Sequence, residues 1–134
     1  QALSENIRPS MTERELQLIY ENTVMMAGAE KMPYGSIVGA GENAAILHAV
    51  PSSYKLKKND LVLIDAGADI QDYCVDITRV LPVSGSFSSR QQEIYDLVLL
   101  AQLEAFAVSL AGNQWRDVHL TSAEVIASGL QDLG

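Results

Sequence analysis

The sequence predicts an α+β fold in which an antiparallel sheet carries helices on one of its faces. Two observations support this prediction. Residues 61–83 contain two apolar, β-branched stretches around a short polar turn, which is the pattern of an antiparallel hairpin. Three other stretches, one near the start and two in the last third of the chain, space their apolar residues at helical intervals. Sequence-adjacent strands with helices before and after them favour a layered α+β arrangement.

The first predicted helix runs from Thr12 to about Ala29. Thr12 and Glu15 match the capping-box pattern, in which each side chain accepts a hydrogen bond from the other residue's backbone amide. Pro33 and Gly35 mark the point beyond which the helix cannot continue. Its apolar residues recur at helical spacing at Leu16, Ile19, Tyr20 and Val24.

Four strands are predicted next. The segments 36–41 and 45–50 form two short strands separated by a Gly-Glu-Asn turn. The longer segments 61–67 and 73–83 form the two arms of the hairpin, and residues 69–72 supply its turn. The strand region therefore ends in one antiparallel pair that holds most of the polar residues of interest.

Two helices are predicted in the last third of the chain. Residues 90–110 carry apolar side chains at helical spacing, and Gly112 is a suitable stop. A final helix covers Asp117 to Leu133. Because no linker, repeat or low-complexity segment interrupts the sequence, we expect a single domain over residues 1–134 with no internal boundary.

Asp65 and Asp76 are the main candidates for chemistry. If the hairpin turns between Ile70 and Gln71, the two aspartates face each other with Cβ atoms roughly 4.5–5.5 Å apart. Two carboxylates this close, among apolar neighbours, require a cation or a proton between them. A pair of divalent metal ions about 3.5–4 Å apart would satisfy that requirement. The alternative is that the aspartates only bracket the turn, or face opposite sides in a different register.

Other residues have simpler interpretations. Cys74 can share a face with Asp76, and core packing is its expected role. The GAGEN segment at residues 39–43 has two glycines and precedes a predicted strand, so a turn is favoured over a nucleotide-binding loop. From spacing alone, His48 is either a hydrogen-bonded core residue or a catalytic one. His119 is expected to be a surface or packing residue.

Charge and composition exclude several classes of partner. The net charge of −8 and the pI near 4.5 argue against nucleic acid, which requires clustered basic residues. No run of about 18 apolar residues is present, so we expect no membrane partner. The single cysteine precludes an internal disulfide and fits a reducing compartment, and we expect the protein in the cytoplasm.

Two segments resemble the catalytic domain of the Xaa-Pro metallopeptidases, prolidase and aminopeptidase P, which adopt the pita-bread fold. They are residues 41–50 (GENAAILHAV) and residues 60–99 (DLVLIDAGADIQDYCVDITRVLPVSGSFSSRQQEIYDLVL). The resemblance runs from about Leu3 to the end of the chain, and its second segment is the more specific. It implies that residues 1–134 are the N-terminal half of a pita-bread catalytic domain, with a curved antiparallel sheet and helices on one face.

The resemblance also implies roles for three residues. Asp65 and Asp76 match metal ligands, Asp76 being the carboxylate that bridges two ions, with manganese as the metal. His48 matches the active-site histidine, which lies near the substrate and does not bind the metal. The implied substrate is a peptide with proline at its second position, cleaved at the bond between the N-terminal residue and that proline.

The remaining ligands of the resembling family, a histidine and two glutamates, have no counterpart in this chain. They lie in segments of the HGxGH and EPG types in a second half of the domain. We therefore expect the isolated chain to be inactive and to bind metal weakly or not at all. A half-sheet also exposes an edge and an apolar face, so we expect it to associate with the missing C-terminal half or with itself.

A non-catalytic pita-bread module that binds peptides or proteins is the competing interpretation. In metal-free relatives the ligand aspartates are generally replaced, so the presence of Asp65 and Asp76 favours a metallopeptidase. Methionine aminopeptidase shares the aspartate spacing. Residues 46–50 (ILHAV) and 76–96 (DITRVLPVSGSFSSRQQEIYD) look closer to the proline-specific branch.

Overall fold

The computed structural model describes residues 2–134 and confirms the α+β class. The elements are, in chain order, α1 (Ala2–Asn6), α2 (Glu13–Met26), β1 (Ile37–Ala40), a 3-10 helix (Gly41–Ala45), β2 (Leu61–Ile70), β3 (Tyr73–Pro82), α3 (Ser89–Val108) and α4 (Trp115–Leu133). The three strands form one antiparallel sheet in the order β1-β2-β3. No pattern in the sequence predicts the short helix α1.

The chain divides into two compact units. The first ends at Ser86 and contains the sheet with α1 and α2, and the second runs from Phe87 to Gly134 and contains α3 and α4. The single domain over residues 1–134 stays a prediction. None of the helices within residues 2–134 combines the length and the apolar character needed to cross a membrane.

Helix α2 begins as the sequence predicts. The Thr12 hydroxyl accepts a hydrogen bond from the Glu15 backbone amide at 3.2 Å, and the Glu15 carboxylate accepts one from the Thr12 amide at 2.6 Å. Both halves of the capping box are therefore present. The helix ends at Met26, close to the predicted end, and Gly28 follows with a φ of 106° that favours glycine.

The predicted hairpin is confirmed, but its turn lies one residue later than expected. Gln71 and Asp72 form a two-residue turn, and their φ values of 53° and 64° lie in the left-handed region that such turns require. Asp69 favours this position because its Oδ1 accepts a hydrogen bond from the Asp72 backbone amide at 3.1 Å.

This turn places Asp65 and Asp76 diagonally and not directly opposite each other. Asp65 pairs with Thr78, and Asp76 pairs with Gly67. The expected face-to-face pairing is therefore wrong, because moving the turn by one residue moves the pairing by two. Since side chains alternate between faces with a period of two, both aspartates still lie on the same face of the hairpin.

The predicted strand over residues 45–50 is wrong. The chain forms the 3-10 helix and then an irregular stretch, and residues 41–51 are called the His48 loop below. His48 has a φ of 54°, a left-handed conformation that a strand does not accommodate. The segment also forms no pairing with β1, whose partner within the described chain is β2.

The hydrophobic core lies on one face of the sheet. Val62, Ile64 and Ala66 of β2 are buried in it, and Leu16 of α2 is wholly buried against them. The residues between them on β2, including Asp65, point to the opposite face. The core cluster consists of Leu16, Val38, Ala40, Leu56, Val62, Ile64, Ala66 and Val83.

Helices α3 and α4 pack on each other and confirm the two helices predicted for the last third of the chain. Ser88 and Gln91 form a second capping box at the start of α3. Helix α4 begins at Trp115, two residues before its predicted start. Gly129 permits close approach of the two helices, because a Cβ atom there would overlap the Leu97 side chain.

Glu13, the first residue of α2, is a buried carboxylate held only by neutral donors. Its Oε1 accepts hydrogen bonds from the Ala40 backbone amide (2.8 Å) and the Asn43 side chain (3.0 Å). Its Oε2 accepts from the Ser52 backbone amide (2.9 Å) and hydroxyl (2.6 Å). Burial opposes ionisation, but the hydrogen bonds from Ser52, Asn43 and Ala40 outweigh it and lower the pKa of Glu13 below its usual 4.5.

This lowered pKa predicts an acid dependence of stability that resides in one side chain. A carboxyl group whose pKa is lower in the folded state stabilises the fold above its unfolded-state pKa, and that contribution is lost as the pH falls through the folded-state value. Glu13→Gln should cost about 1–3 kcal/mol in the free energy of unfolding at pH 7, because one donor would then face another. Urea unfolding should show the difference from wild type shrinking between pH 7 and pH 3. A difference that stays constant over that range would contradict the assignment.

Candidate metal and substrate site

One cleft in the first unit brings together the three residues that the sequence analysis selected. It has a volume of about 520 Å³ and is lined by residues of α2, the 34–37 segment, the His48 loop and the β2–β3 hairpin. Asp65, Asp76 and His48 all border it. The three residues are thus neighbours in space, while their roles as metal ligands and catalytic group stay predictions.

A single hydroxyl group connects the two aspartates. The Tyr34 Oη lies 2.6 Å from Asp65 Oδ1 and 2.8 Å from Asp76 Oδ1. The two Oδ1 atoms are therefore no farther apart than the sum of these distances. Asp65 is half-buried and Asp76 is exposed, so the pair is open to the cleft on the side of β3.

The carboxylates of Asp65 and Asp76 have few hydrogen-bond donors and no basic partner in the described chain. Tyr34 has one hydroxyl proton and can satisfy only one of the two acceptors at a time. Burial, together with the hydrogen bonds to Asp65 and Asp76, raises the pKa of Tyr34, so its hydroxyl remains protonated. Within residues 2–134, neither carboxylate forms an ion pair with a basic side chain. The electrostatics of the site therefore favour a bound cation.

Gly67 makes room for the tyrosine ring. It pairs directly with Asp76 and lies two residues from Asp65, so it occupies the same face between them. A Cβ atom at Gly67 would lie 3.0 Å from Tyr34 Cε1 and 2.8 Å from Pro33 Cγ. The backbone oxygen of Val75 would be closer still, so the hairpin itself requires glycine here, and the Pro33–Tyr34 segment packs into the space that this leaves.

The segment that carries Tyr34 is fixed to the hairpin near its turn. Lys31 and Asp69 form an isolated antiparallel bridge. The Lys31 ammonium group lies 3.6 Å from the Asp69 carboxylate and 3.2 Å from that of Asp72. Since Tyr34 follows only three residues later, this attachment limits where its hydroxyl can lie.

Cys74 does not pack in the core, contrary to expectation. It is exposed, and its thiol donates a hydrogen bond to Asp69 Oδ2 at 3.2 Å. That hydrogen bond is the main cause of the lowered pKa of Asp69. The expectation is wrong because β3 is an edge strand whose side chains are exposed along most of its length.

Tyr34 is the site residue that the sequence analysis did not find. Its neighbours Pro33 and Gly35 marked the segment as a helix stop, and a tyrosine in a turn carries no chemical signal. The partial signal was Gly67, because a glycine inside a strand often marks the close approach of another group.

His48 and His119 lie in different surroundings. His48 is exposed at the cleft and makes no hydrogen bond within the described chain, so it is not a hydrogen-bonded core residue. Its backbone is left-handed, and it borders the same cleft as Asp65 and Asp76. His119 is exposed on α4, in the second unit.

Within residues 2–134, the acidic side chains that line the cleft and could bind a metal ion are those of Asp65 and Asp76. Their oxygen atoms are hard ligands of the kind that suit magnesium, calcium and manganese. Across residues 2–134, no three or more His, Cys, Asp and Glu side chains come together as a possible ligand set. The local donors are therefore fewer than the six or so oxygen atoms that such ions take.

Known proteins are similar to this chain in both sequence and fold. The sequence pattern of metallopeptidase family M24 matches residues 1–134. The probable Xaa-Pro aminopeptidase PEPP of Paracoccidioides brasiliensis is 44% identical over 91% of this chain and 27% of its own length. Its counterpart in Fusarium vanettenii is 37% identical over 100% of this chain and 29% of its own length.

Solved structures of two bacterial aminopeptidases contain the same fold. Pseudomonas aeruginosa aminopeptidase PepP superposes with a TM-score of 0.95 at 42% identity, over 98% of this chain and 30% of that protein. A variant of Escherichia coli aminopeptidase P in complex with substrate gives 0.93 at 36% identity, over 99% and 30%. The chain thus spans less than a third of the length of these relatives. These matches confirm the resemblance to the Xaa-Pro metallopeptidases and the pita-bread fold, and the chain belongs to metallopeptidase family M24.

Proposed function

We propose that this chain is the N-terminal half of the catalytic domain of a dinuclear-metal Xaa-Pro peptidase, of the aminopeptidase P or prolidase type. The complete enzyme would hydrolyse the bond between an N-terminal residue and proline. The observation that carries the proposal is the pair of aspartate carboxylates joined by one hydroxyl in an open cleft. Membership of family M24 and the names of the relatives support it.

Asp65 and Asp76 would hold the two ions. The donor set fits this role, because each Oδ2 makes no hydrogen bond within the described chain and no basic side chain neutralises the pair. Manganese is the metal we propose, since carboxylate oxygens suit it. Tyr34 would keep the two carboxylates in place through its hydroxyl.

The chemistry would be divided between the metal and this chain. When bound, two divalent ions supply a hydroxide nucleophile near neutral pH and polarise the scissile carbonyl. His48, exposed at the same cleft, would donate a hydrogen bond to the peptide substrate or to the tetrahedral intermediate. Donors in such positions are worth about 10²–10³ in rate.

The rest of the site would come from outside this chain. By the family resemblance, a histidine and two glutamates from the C-terminal half complete the ligand set and supply the general base. The edge strand β3 supports docking of that half, because Tyr73, Val75 and Ile77 are at least half exposed there. Self-association is the alternative way to cover this edge.

We propose the cytoplasm as the location of the protein. Its single cysteine, Cys74, is free and exposed, which fits a reducing compartment.

Manganese should bind the 134-residue chain weakly. Two carboxylates leave most coordination positions to water, so we expect a dissociation constant above about 10⁻⁶ M in calorimetric titration. Asp65→Asn and Asp76→Asn should each weaken the binding further. Sub-micromolar affinity in the chain alone would show that other groups complete the site and would contradict the proposed half-site.

Hydrolysis of Xaa-Pro peptides should require both halves of the domain. We expect no turnover by this chain alone, and turnover when it is co-expressed with a C-terminal half that carries the histidine and two glutamates. Asp76→Ala should abolish the activity by removing one of the two carboxylates that would hold the ions. His48→Ala should lower kcat by about 10²–10³-fold with metal content unchanged.

The controls for this experiment separate its outcomes. Metal content is measured by elemental analysis of each purified variant. Turnover by the single chain that survives Asp76→Ala would indicate a contaminant. Turnover by the single chain that Asp76→Ala abolishes would contradict the proposal that the site is divided between two halves.

A further inference from the structure

The buried carboxylate of Glu13 connects the two ends of the His48 loop. Ala40 precedes the loop and Ser52 follows it, and the backbone amides of both donate to this one carboxylate, at 2.8 and 2.9 Å. Asn43, inside the loop, donates to the same oxygen as Ala40 at 3.0 Å. A single side chain of α2 therefore fixes the distance between the points where the loop leaves and rejoins the body of the unit.

Packing alone does not explain a buried carboxylate at Glu13, because its burial is energetically unfavourable. Glu13 has no exposed surface and forms no ion pair with any described residue. Burial of an unpaired charge is unfavourable unless hydrogen bonds replace the lost water, and an apolar residue of similar size would avoid this cost. What an apolar residue could not do is accept hydrogen bonds from both ends of a loop.

The neighbouring residue strengthens one end of the same arrangement. The Arg14 side chain donates a hydrogen bond to the Pro51 carbonyl at 3.0 Å, and its backbone amide donates to the Ser52 carbonyl at 3.2 Å. The first turn of α2 is thus attached to the C-terminal end of the loop by backbone and side chains together.

Between its ends, the His48 loop has few other attachments. Residues 45–48 are exposed, and Ala49 is the buried residue of the tip. His48 itself has a left-handed backbone, which a non-glycine residue adopts at a cost and keeps only when the surrounding structure imposes it. The contacts that can impose it are the burial of Ala49 and Pro51 and the hydrogen bonds at the two ends of the loop.

We infer that Glu13 is a positioning residue that acts through the His48 loop and holds His48 at the cleft. The inference rests on the proposed function, because His48 has a catalytic role only if that proposal is correct. It goes beyond that function in assigning a task in catalysis to a residue that does not border the cleft.

Amide hydrogen exchange, measured on this chain alone, tests whether Glu13 holds the His48 loop in place. Glu13→Gln keeps the shape of the side chain but replaces an acceptor by a donor. Its matched control is Glu15→Gln, the same change two residues away, which weakens the helix cap and touches no part of the loop. Glu13→Gln should accelerate amide exchange across residues 40–52 by about tenfold or more, and Glu15→Gln should not. Unchanged exchange in Glu13→Gln would overturn the inference.

A double-mutant cycle tests whether Glu13 affects catalysis through His48. It uses the two-half enzyme, which is this chain co-expressed with the C-terminal half. Glu13→Gln should lower kcat by about 10–100-fold, as a displaced catalytic group does, whereas Glu15→Gln should leave it unchanged. In the background of His48→Ala, the Glu13 substitution should cause no further loss, because its effect passes through His48. An equal loss in both backgrounds would overturn the inference and show a general structural role.

Two precautions keep the outcomes distinct. If Glu13→Gln does not fold, Ser52→Ala removes one donor to the same carboxylate and is measured by the same two methods, with the same expected directions. If the wild-type two-half enzyme does not hydrolyse Xaa-Pro peptides, the proposed function fails and the catalytic role of Glu13 falls with it. The exchange measurement still decides whether Glu13 holds the loop.

Discussion

Two aspartate carboxylates on one face of a hairpin are the constraint on which the cleft of the first unit depends. The register of β2 and β3 leaves Asp65 and Asp76 on the same face and diagonal to each other. The Cα atoms of such diagonal neighbours are roughly 7–8 Å apart. A hydroxyl group that lies between the two carboxylates can therefore reach both. That hydroxyl is on Tyr34, whose ring lies beside Gly67, a position without a side chain.

The supply of hydrogen-bond donors distinguishes the carboxylate of Glu13, which holds the His48 loop, from the two carboxylates that are proposed to bind metal. Glu13 accepts four hydrogen bonds and is fully satisfied without a cation. Asp65 and Asp76 share one hydroxyl proton and have no basic partner in the described chain. A carboxylate with all its acceptors filled fixes the backbone around it. A pair that lacks donors retains affinity for a positive ion.

These two arrangements position two parts of the lining of one cleft. The hairpin with its aspartates forms one part, and the first turn of α2 supports the other, the His48 loop. The core anchors both of them, since it includes Leu16 of α2, Ala40 directly before the His48 loop and three residues of β2. The core sets the position of β2, and polar contacts set the position of the side chains around the cleft.

The sequence predicts the parts of this structure that depend on local pattern. The Thr12 capping box, the alternation of the hairpin and the helical spacing in the last third of the chain each require only neighbouring residues. The local pattern does not fix the register of the hairpin, because the turn residues 69–72 allow a turn at Gln71 and Asp72 as well as one at Ile70 and Gln71. The sequence does not predict the His48 loop, because the contacts that hold its two ends come from Glu13, 27 and 39 residues away. It does not predict the contacts of Tyr34 either, since Asp65 and Asp76 are 31 and 42 residues away.

Anomalous diffraction at the manganese edge is the most direct test of the central claim, that Asp65 and Asp76 together form a site for two cations. The measurement would use crystals of the two co-expressed halves grown with manganese. The account predicts two peaks about 3.5–4 Å apart at the cleft, with an oxygen of Asp76 in contact with both and Asp65 in contact with one. A single peak, or peaks that neither aspartate contacts, would contradict it.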